Sequence, residues 1–209
     1  QDRAERGRGE AVLGPLPATR VGLTLPHEHV LCDFIGADRT GRHRWDVATV
    51  AREMEPRLAA AKAQGVTLFV DCTPACIGRD PRLLRLLSER AGLPILTNTG
   101  LYGGADDKFV PAYAWRESAD ELAARWILEW ERGIEETGVR PGFVKLGVDA
   151  VGADGTLSAI DRKLVLAAAR TSRATGLSVT CHTGGGPAGI AAVRAFVHAG
   201  GRPERFVVA

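Results

Sequence analysis

The chain has 209 residues, 45% of them hydrophobic and 25% charged, with 25 glycines and 11 prolines. That is an ordinary globular composition, long enough for one sizeable core and marginal for two. The 27 basic and 25 acidic side chains nearly cancel to +2, and no stretch concentrates positive charge, which argues against nucleic acid or anionic membrane as a main partner. No apolar run reaches the roughly 18 to 20 residues of a membrane-spanning helix. Cys32, Cys72, Cys76 and Cys181 are too few for a disulfide framework and mostly sit in strand-like segments, as reduced core thiols do.

In chain order, residues 1–10 are charged and aperiodic and read as a mobile arm ahead of a single unit over 11–209. Short apolar runs follow at 21–26, 66–71, 94–98, 142–148, 177–182 and 205–209. Helical patterns fill the gaps at about 46–64, 80–91, 117–137, 158–175 and 187–199. Asp46, Asp80, Ser118 (with Glu121 three on) and Ser158 (with Asp161) stand where N-caps belong. Gly65, Gly92, Gly138 and Gly176 stand where helices end. The result is β-α five times, then a sixth strand.

Continuously apolar strands point to a parallel sheet covered on both faces, either an open doubly wound sheet or a closed barrel. The G-x-G-x-x-G expected after the first strand of a dinucleotide-binding sheet is missing. The spacing fits a TIM (β/α)₈ barrel, which needs about 250 residues, so two units are lacking. The chain also stops inside an apolar strand, Phe206-Val207-Val208-Ala209, and is expected to be a fragment that aggregates or stays inactive when expressed alone. It begins at Gln1. The thiols favour the cytoplasm, whereas a signal peptide removed before Gln1 would place the protein in the periplasm or outside the cell.

Three of the five histidines fall at the C-terminal ends of strands, where barrel active sites are built. His27 and His29 form H-x-H on one face of the first strand, and His182 ends the fifth. Imidazole is the commonest ligand for zinc-like metals. Lys145 lies in an apolar strand of a chain with 23 arginines and only four lysines, so the position favours an amine that can lose its proton. A neutral amine reacts with carbon dioxide to give a carbamate able to bridge two metal ions. Asp71 and Asp149 are candidates to hydrogen-bond a ligating histidine, though capping a loop is the more ordinary role. Gly184-Gly185-Gly186 reads as a phosphate cradle or a flexible turn. The C-x₃-C of Cys72 and Cys76 has no partner pair for a structural zinc. His43 and His198 look like surface residues.

The ordered set of motifs resembles the phosphotriesterase family, specifically its phosphotriesterase-like lactonase branch within the amidohydrolase superfamily. The matching pieces are Gly14-Pro15-Leu16, Gly22-Leu23-Thr24-Leu25-Pro26-His27-Glu28-His29, Val70-Asp71-Cys72-Thr73-Pro74 with Gly78-Arg79-Asp80, and Thr99-Gly100-Leu101-Tyr102. Gly133-Ile134, Thr137-Gly138, Gly142-Phe143-Val144-Lys145-Leu146, Thr175-Gly176 and Cys181-His182-Thr183 complete it. The resemblance implies that His27 and His29 bind the more buried of two divalent ions and His182 the more exposed one. Carboxylated Lys145 would bridge them as the catalytic group. Zinc is the first choice, with cobalt, manganese or iron the others. It implies a substrate-lining role for Tyr102 and homodimers. The family's histidine from strand six and aspartate from strand eight are not in this chain.

The expected function is hydrolysis of a small-molecule ester, with hydroxide shared by the two ions attacking a lactone or carboxylic ester first, a phosphotriester second. The alternative is a non-catalytic or inactive barrel fragment that binds a partner or a single metal. A single-metal deaminase is disfavoured, because one ion needs no bridging carbamate.

Overall fold

The computed structural model describes residues 8–209, so the first seven residues of the expected arm lie outside the described residues. Residues 8–10 are not an arm. Arg8–Ala11 (β1) and Gly14–Pro17 (β2) pair antiparallel, burying Ala11 and Leu16 on Leu68 beside Val70 and Leu96. The Val12 N–H donates to the Ile95 carbonyl at 2.8 Å. Two buried side chains on a short hairpin leave no periodic signal in the sequence, which is why the charge of this segment dominates its appearance.

Six βα strands follow. They are β3 (Leu23–Glu28), β4 (Val66–Asp71), a third strand in two pieces, β5 (Ile95–Leu96) and β6 (Asn98–Thr99), then β7 (Phe143–Val148), β8 (Ser178–Thr183) and β9 (Phe206–Val208). Between them run α1 (Val47–Ala63), α2 (Pro81–Ala91), α3 (Ala112–Arg116), α4 (Ala119–Arg132), α5 (Ala159–Thr175) and α6 (Gly186–His198). The strand orders are β3-β4-β5 and β6-β7-β8-β9, all parallel. The third strand therefore bonds backward through β5 and forward through β6, with Thr97 at the break. Each strand neighbours the next in sequence without the reversal of a doubly wound sheet. This is the winding of a (β/α)₈ barrel.

The expected caps form. Asp46 accepts the Thr49 N–H at 2.7 Å, Asp80 those of Arg82 and Leu83, and Ser158 that of Asp161. Ser118 and Glu121 make a reciprocal capping box. The helix expected over 117–137 is shorter, because α4 stops at Arg132. Gly133 (φ +95°) presses on Gly138, so that a Cβ there would lie 2.6 Å from the Gly138 Cα, and the chain must turn away. The short α3 precedes it and was not expected.

Helices cover one face of the strands. Val144, Leu146, Val148, Val179 and Cys181 are buried with Trp126, Leu164 and Phe196, and Phe69 and Ile95 with Leu58, Leu84 and Leu87. Each such side chain contributes roughly 1.5–3 kcal/mol. The strand residues between these positions face the barrel interior, which leaves Phe143, Lys145 and Gly147 of β7 inside. Among the described residues, no helix is long and apolar enough to cross a membrane.

Candidate metal centre

The β7–β8 ladder is regular. Lys145 pairs with Thr180 and Gly147 with His182, and paired residues of parallel strands share a face, so Lys145 and His182 project to the same interior side. Tyr102 bridges Gly147 from the other edge, and its ring lies over the bare Gly147 Cα. A Cβ at Gly147 would sit 2.4 Å from that ring. The Tyr102 and His182 ring centroids are 5.6 Å apart.

β3 is irregular. Leu25 pairs with Phe69 and Glu28 with Asp71, three residues on one strand against two on the other. The extra residue is a bulge across Pro26-His27, where a proline lacking an N–H is tolerated. Strict alternation from Leu25 would turn His27 toward the helices, as Leu25 is. Instead the bulge sends His27 inward, where its Nε2 is 3.2 Å from Lys145 Nζ. The strand ends at Glu28, so His29 owes its direction to a side-chain contact. Its Nδ1 is 2.9 Å from Thr73 Oγ1, whose hydroxyl donates to Asp71 Oδ1 at 3.2 Å. With the Thr73 proton given to Asp71, His29 Nδ1 would be the donor and its Nε2 lone pair would be free. The His27 and His29 rings are 5.5 Å apart.

Electrostatics favours uncharged bases. Burial, then the charges of His27, Lys145 and His182, pushes His29 down to about 4. Burial, then Lys145 and His182, lowers His27; burial, then Lys145, lowers His182, with Asp149 opposing. Lys145, 2% exposed, is lowered by burial. Asp71 is raised to about 7 by burial, against hydrogen bonds from Val30 and Thr73 and the charge of Arg79.

This donor set fits divalent cations. Three imidazoles with available lone pairs surround a buried amine that, among the described residues, pairs with no carboxylate. Among the described residues no three His, Cys, Asp or Glu side chains gather at one point. A site shared by these imidazoles would need Lys145 as well, and a bare ammonium is not a ligand. A carboxylated Lys145 would be.

Asp71 reaches His29 through Thr73 and not directly. Asp149 takes the more ordinary of its two roles and caps a loop. Its carboxylate accepts the backbone N–H groups of Ala105 and Asp106. In the run 184–186, Gly185 caps α6 and Gly186 opens it. Gly184 is needed because a Cβ there would lie 2.4 Å from the Ala150 nitrogen. All four cysteines are free, and His43 and His198 are exposed. Sequence reasoning gives Thr73 no role beyond its place in the motif Val70-Asp71-Cys72-Thr73-Pro74, although D-x-T after a strand end beside an H-x-H strand is a usable signal. Asn98 Nδ2 also holds the Asp71 and Thr73 carbonyls at 3.0 Å each, and Arg79, bonded to Glu129, holds the Asn98 carbonyl at 2.8 Å.

Known proteins share this fold. The sequence profile of the Phosphotriesterase family matches residues 8–209. The organophosphorus hydrolase of Deinococcus radiodurans superposes with a TM-score of 0.83 at 30% identity, over 97% of this chain and 61% of that one. A mutant of a Deinococcus radiodurans PTE-like lactonase does so with a TM-score of 0.81 at 31% identity, over 96% and 62%. The aryldialkylphosphatase of Saccharolobus solfataricus is 28% identical over 78% of this chain and 50% of its own length. The chain spans about half the length of the curated relatives it matches. With the motif order, the six-strand winding and a profile match across every described residue, the chain belongs to the phosphotriesterase family.

Proposed function

We propose that this chain carries the principal metal-binding part of a hydrolase acting on a lactone or other carboxylic ester, with a phosphotriester as second choice of substrate. The observation that carries the reading is the buried Lys145 amine, 3.2 Å from His27 and on the same sheet face as His182. His27 and His29 would hold one divalent ion, His182 the other, and carboxylated Lys145 both; zinc is the first candidate. When bound, such ions supply a lowered water pKa and polarisation of the scissile carbonyl or phosphoryl oxygen.

The protein's own residues prepare that chemistry. Burial favours loss of the Lys145 proton, and the neutral amine then adds to carbon dioxide with release of a second proton. Thr73 fixes the His29 ring so that Nε2 faces the site. Tyr102, lying on Gly147 beside His182, would touch substrate. The lactone preference rests on Tyr102 and on the likeness to a protein described as a PTE-like lactonase. The phosphotriester reading rests on the relatives named organophosphorus hydrolase and aryldialkylphosphatase.

Replacing Lys145 tests the reading. In the full-length parent, Lys145→Ala should lose bound metal and hydrolysis together, and bicarbonate or a short carboxylate should restore part of both. Full metal content and turnover in that variant would end the bridging role. A protein that binds no more than one ion and hydrolyses neither ester class would favour the non-catalytic alternative.

A further inference from the structure

We infer that Asp149 is a positioning residue, whose carboxylate holds a left-handed turn at residues 105–107 and, through it, the Tyr102 ring beside His182. The inference rests on the reading of Tyr102 as a substrate-facing residue.

Ala105, Asp106 and Asp107 have φ of 62°, 54° and 58°. Residues with a Cβ enter this region singly, because the Cβ crowds the following carbonyl oxygen. Three in succession persist only where surrounding bonds over-determine the backbone. Asp149 supplies those bonds. Its Oδ1 accepts the Ala105 N–H at 2.8 Å and its Oδ2 the Asp106 N–H at 2.9 Å. Successive N–H groups of such a turn make a concave donor pair, and the two carboxyl oxygens take one N–H each. Asp149 is itself anchored, following β7 directly and donating its own N–H to Asp161 Oδ2 at 3.1 Å on the first turn of α5.

The turn and Tyr102 are separated only by Gly103 and Gly104. Two glycines hold no conformation by themselves, so Tyr102 depends on what grips the chain at either side. Upstream, Tyr102 bridges Gly147 and the Gly103 N–H donates to the Gly147 carbonyl at 2.9 Å. Downstream, the Asp149 carboxylate is the grip. Beyond the turn, Phe109 packs edge-on against Tyr102 at 6.0 Å, so the loop closes on the same ring. Asp149 thus touches no reacting atom and acts by fixing the wall of the site.

The test compares Asp149→Asn, which keeps the size and one acceptor oxygen, with the same change combined with Ala105→Gly, which removes a Cβ from the strained turn. In Asp149→Asn, the amides of 105 and 106 should exchange with deuterium about tenfold faster. KM for a γ-lactone should rise about tenfold with kcat within about twofold, and bound metal should be unchanged. The double variant should recover much of both losses, which a merely structural defect elsewhere would not do. Unchanged exchange at 105 and 106, or a double variant no better than the single one, would overturn the clamp. If Asp149→Asn does not fold, Ala105→Gly alone should slow exchange at 106, and unaltered exchange there would count against it equally. A protein that hydrolyses no ester even unmodified would remove the functional reading, while exchange and rescue would still decide the clamp.

Discussion

The two sides of the candidate centre are built by different means. Lys145 and His182 stand on a regular parallel ladder, where register alone sets their face and a glycine gives the neighbouring Tyr102 ring its place. His27 and His29 stand at the end of an irregular strand, where a bulge turns one ring and a Thr73–Asp71 contact holds the other. The ladder side should therefore respond to added volume, and the bulged side to lost hydrogen bonds. Perturbing one and not the other separates packing from polar orientation within a single site.

The largest effect is expected at Gly147. A Cβ there would approach Tyr102 to 2.4 Å with β7 fully buried around it, and overpacking of this kind costs about 3 kcal/mol. Gly147→Ala should lower the urea midpoint accordingly. Removing the ring as well, in Gly147→Ala with Tyr102→Ala, should restore part of the loss that the two single changes predict together. Additive losses would show that the ring is not what forbids the methyl group.

A second expectation concerns pH on the ladder side. Asp161, 1% exposed, is raised to about 6 by burial, against hydrogen bonds from the Asp149 N–H and Ser158 and with the repulsion of Asp107 and Asp149 added. Its Oδ1 has no hydrogen-bond partner. The folded protein therefore holds this proton more tightly than the unfolded chain, whose carboxyl titrates near 4. The stability this provides is complete below about pH 4 and is lost as pH rises through 6, on the order of 2 kcal/mol. Asp161→Asn should lack that decline when unfolding free energies are compared at acid and neutral pH. Parallel pH profiles for the two proteins would show that Asp161 titrates normally.

Much of this was legible in the sequence where local physics decides. Strands covered on both faces must be continuously apolar, so all six runs were visible within two residues of their ends. The four helix caps announced themselves through Asp46, Asp80, Ser118 and Ser158. Lys145 and His182 were readable because a regular strand needs no more than its residue order. The hidden features depend on residues far apart in sequence. Nothing beside Thr97 says that the third strand breaks there to serve two neighbours. Gly133 ends α4 through contact with Gly138, which sequence spacing does not reveal. Asp149 lies 44 residues from the Ala105 amide it holds, and without that pairing it looks like any aspartate at a strand end. Pro26 was a visible warning that strict alternation would fail, and the H-x-H pair shares a side through a bulge and a prop.

That prop gives the smallest and most local test. Thr73→Val keeps the shape of the side chain and removes the hydroxyl that joins His29 to Asp71, while Asp71 keeps the Val30 N–H at 2.9 Å. Leaving a buried acceptor with one bond fewer costs about 1–2 kcal/mol, less than the Gly147 change. Thr73→Ser retains the hydroxyl and should stay close to the unaltered protein. The decisive reading is the His29 ring itself. With the hydroxyl present, Nδ1 carries the proton and Nε2 is free, so nitrogen NMR should show one tautomer. In Thr73→Val nothing selects between the ring nitrogens, both tautomers should appear, and metal affinity should fall about 10- to 100-fold, as when an outer hydrogen-bond partner of a ligating histidine is removed. A single unchanged tautomer in Thr73→Val would show that the bulge, and not the hydroxyl, orients both rings, and the contrast between the two sides of the centre would rest on strand geometry alone.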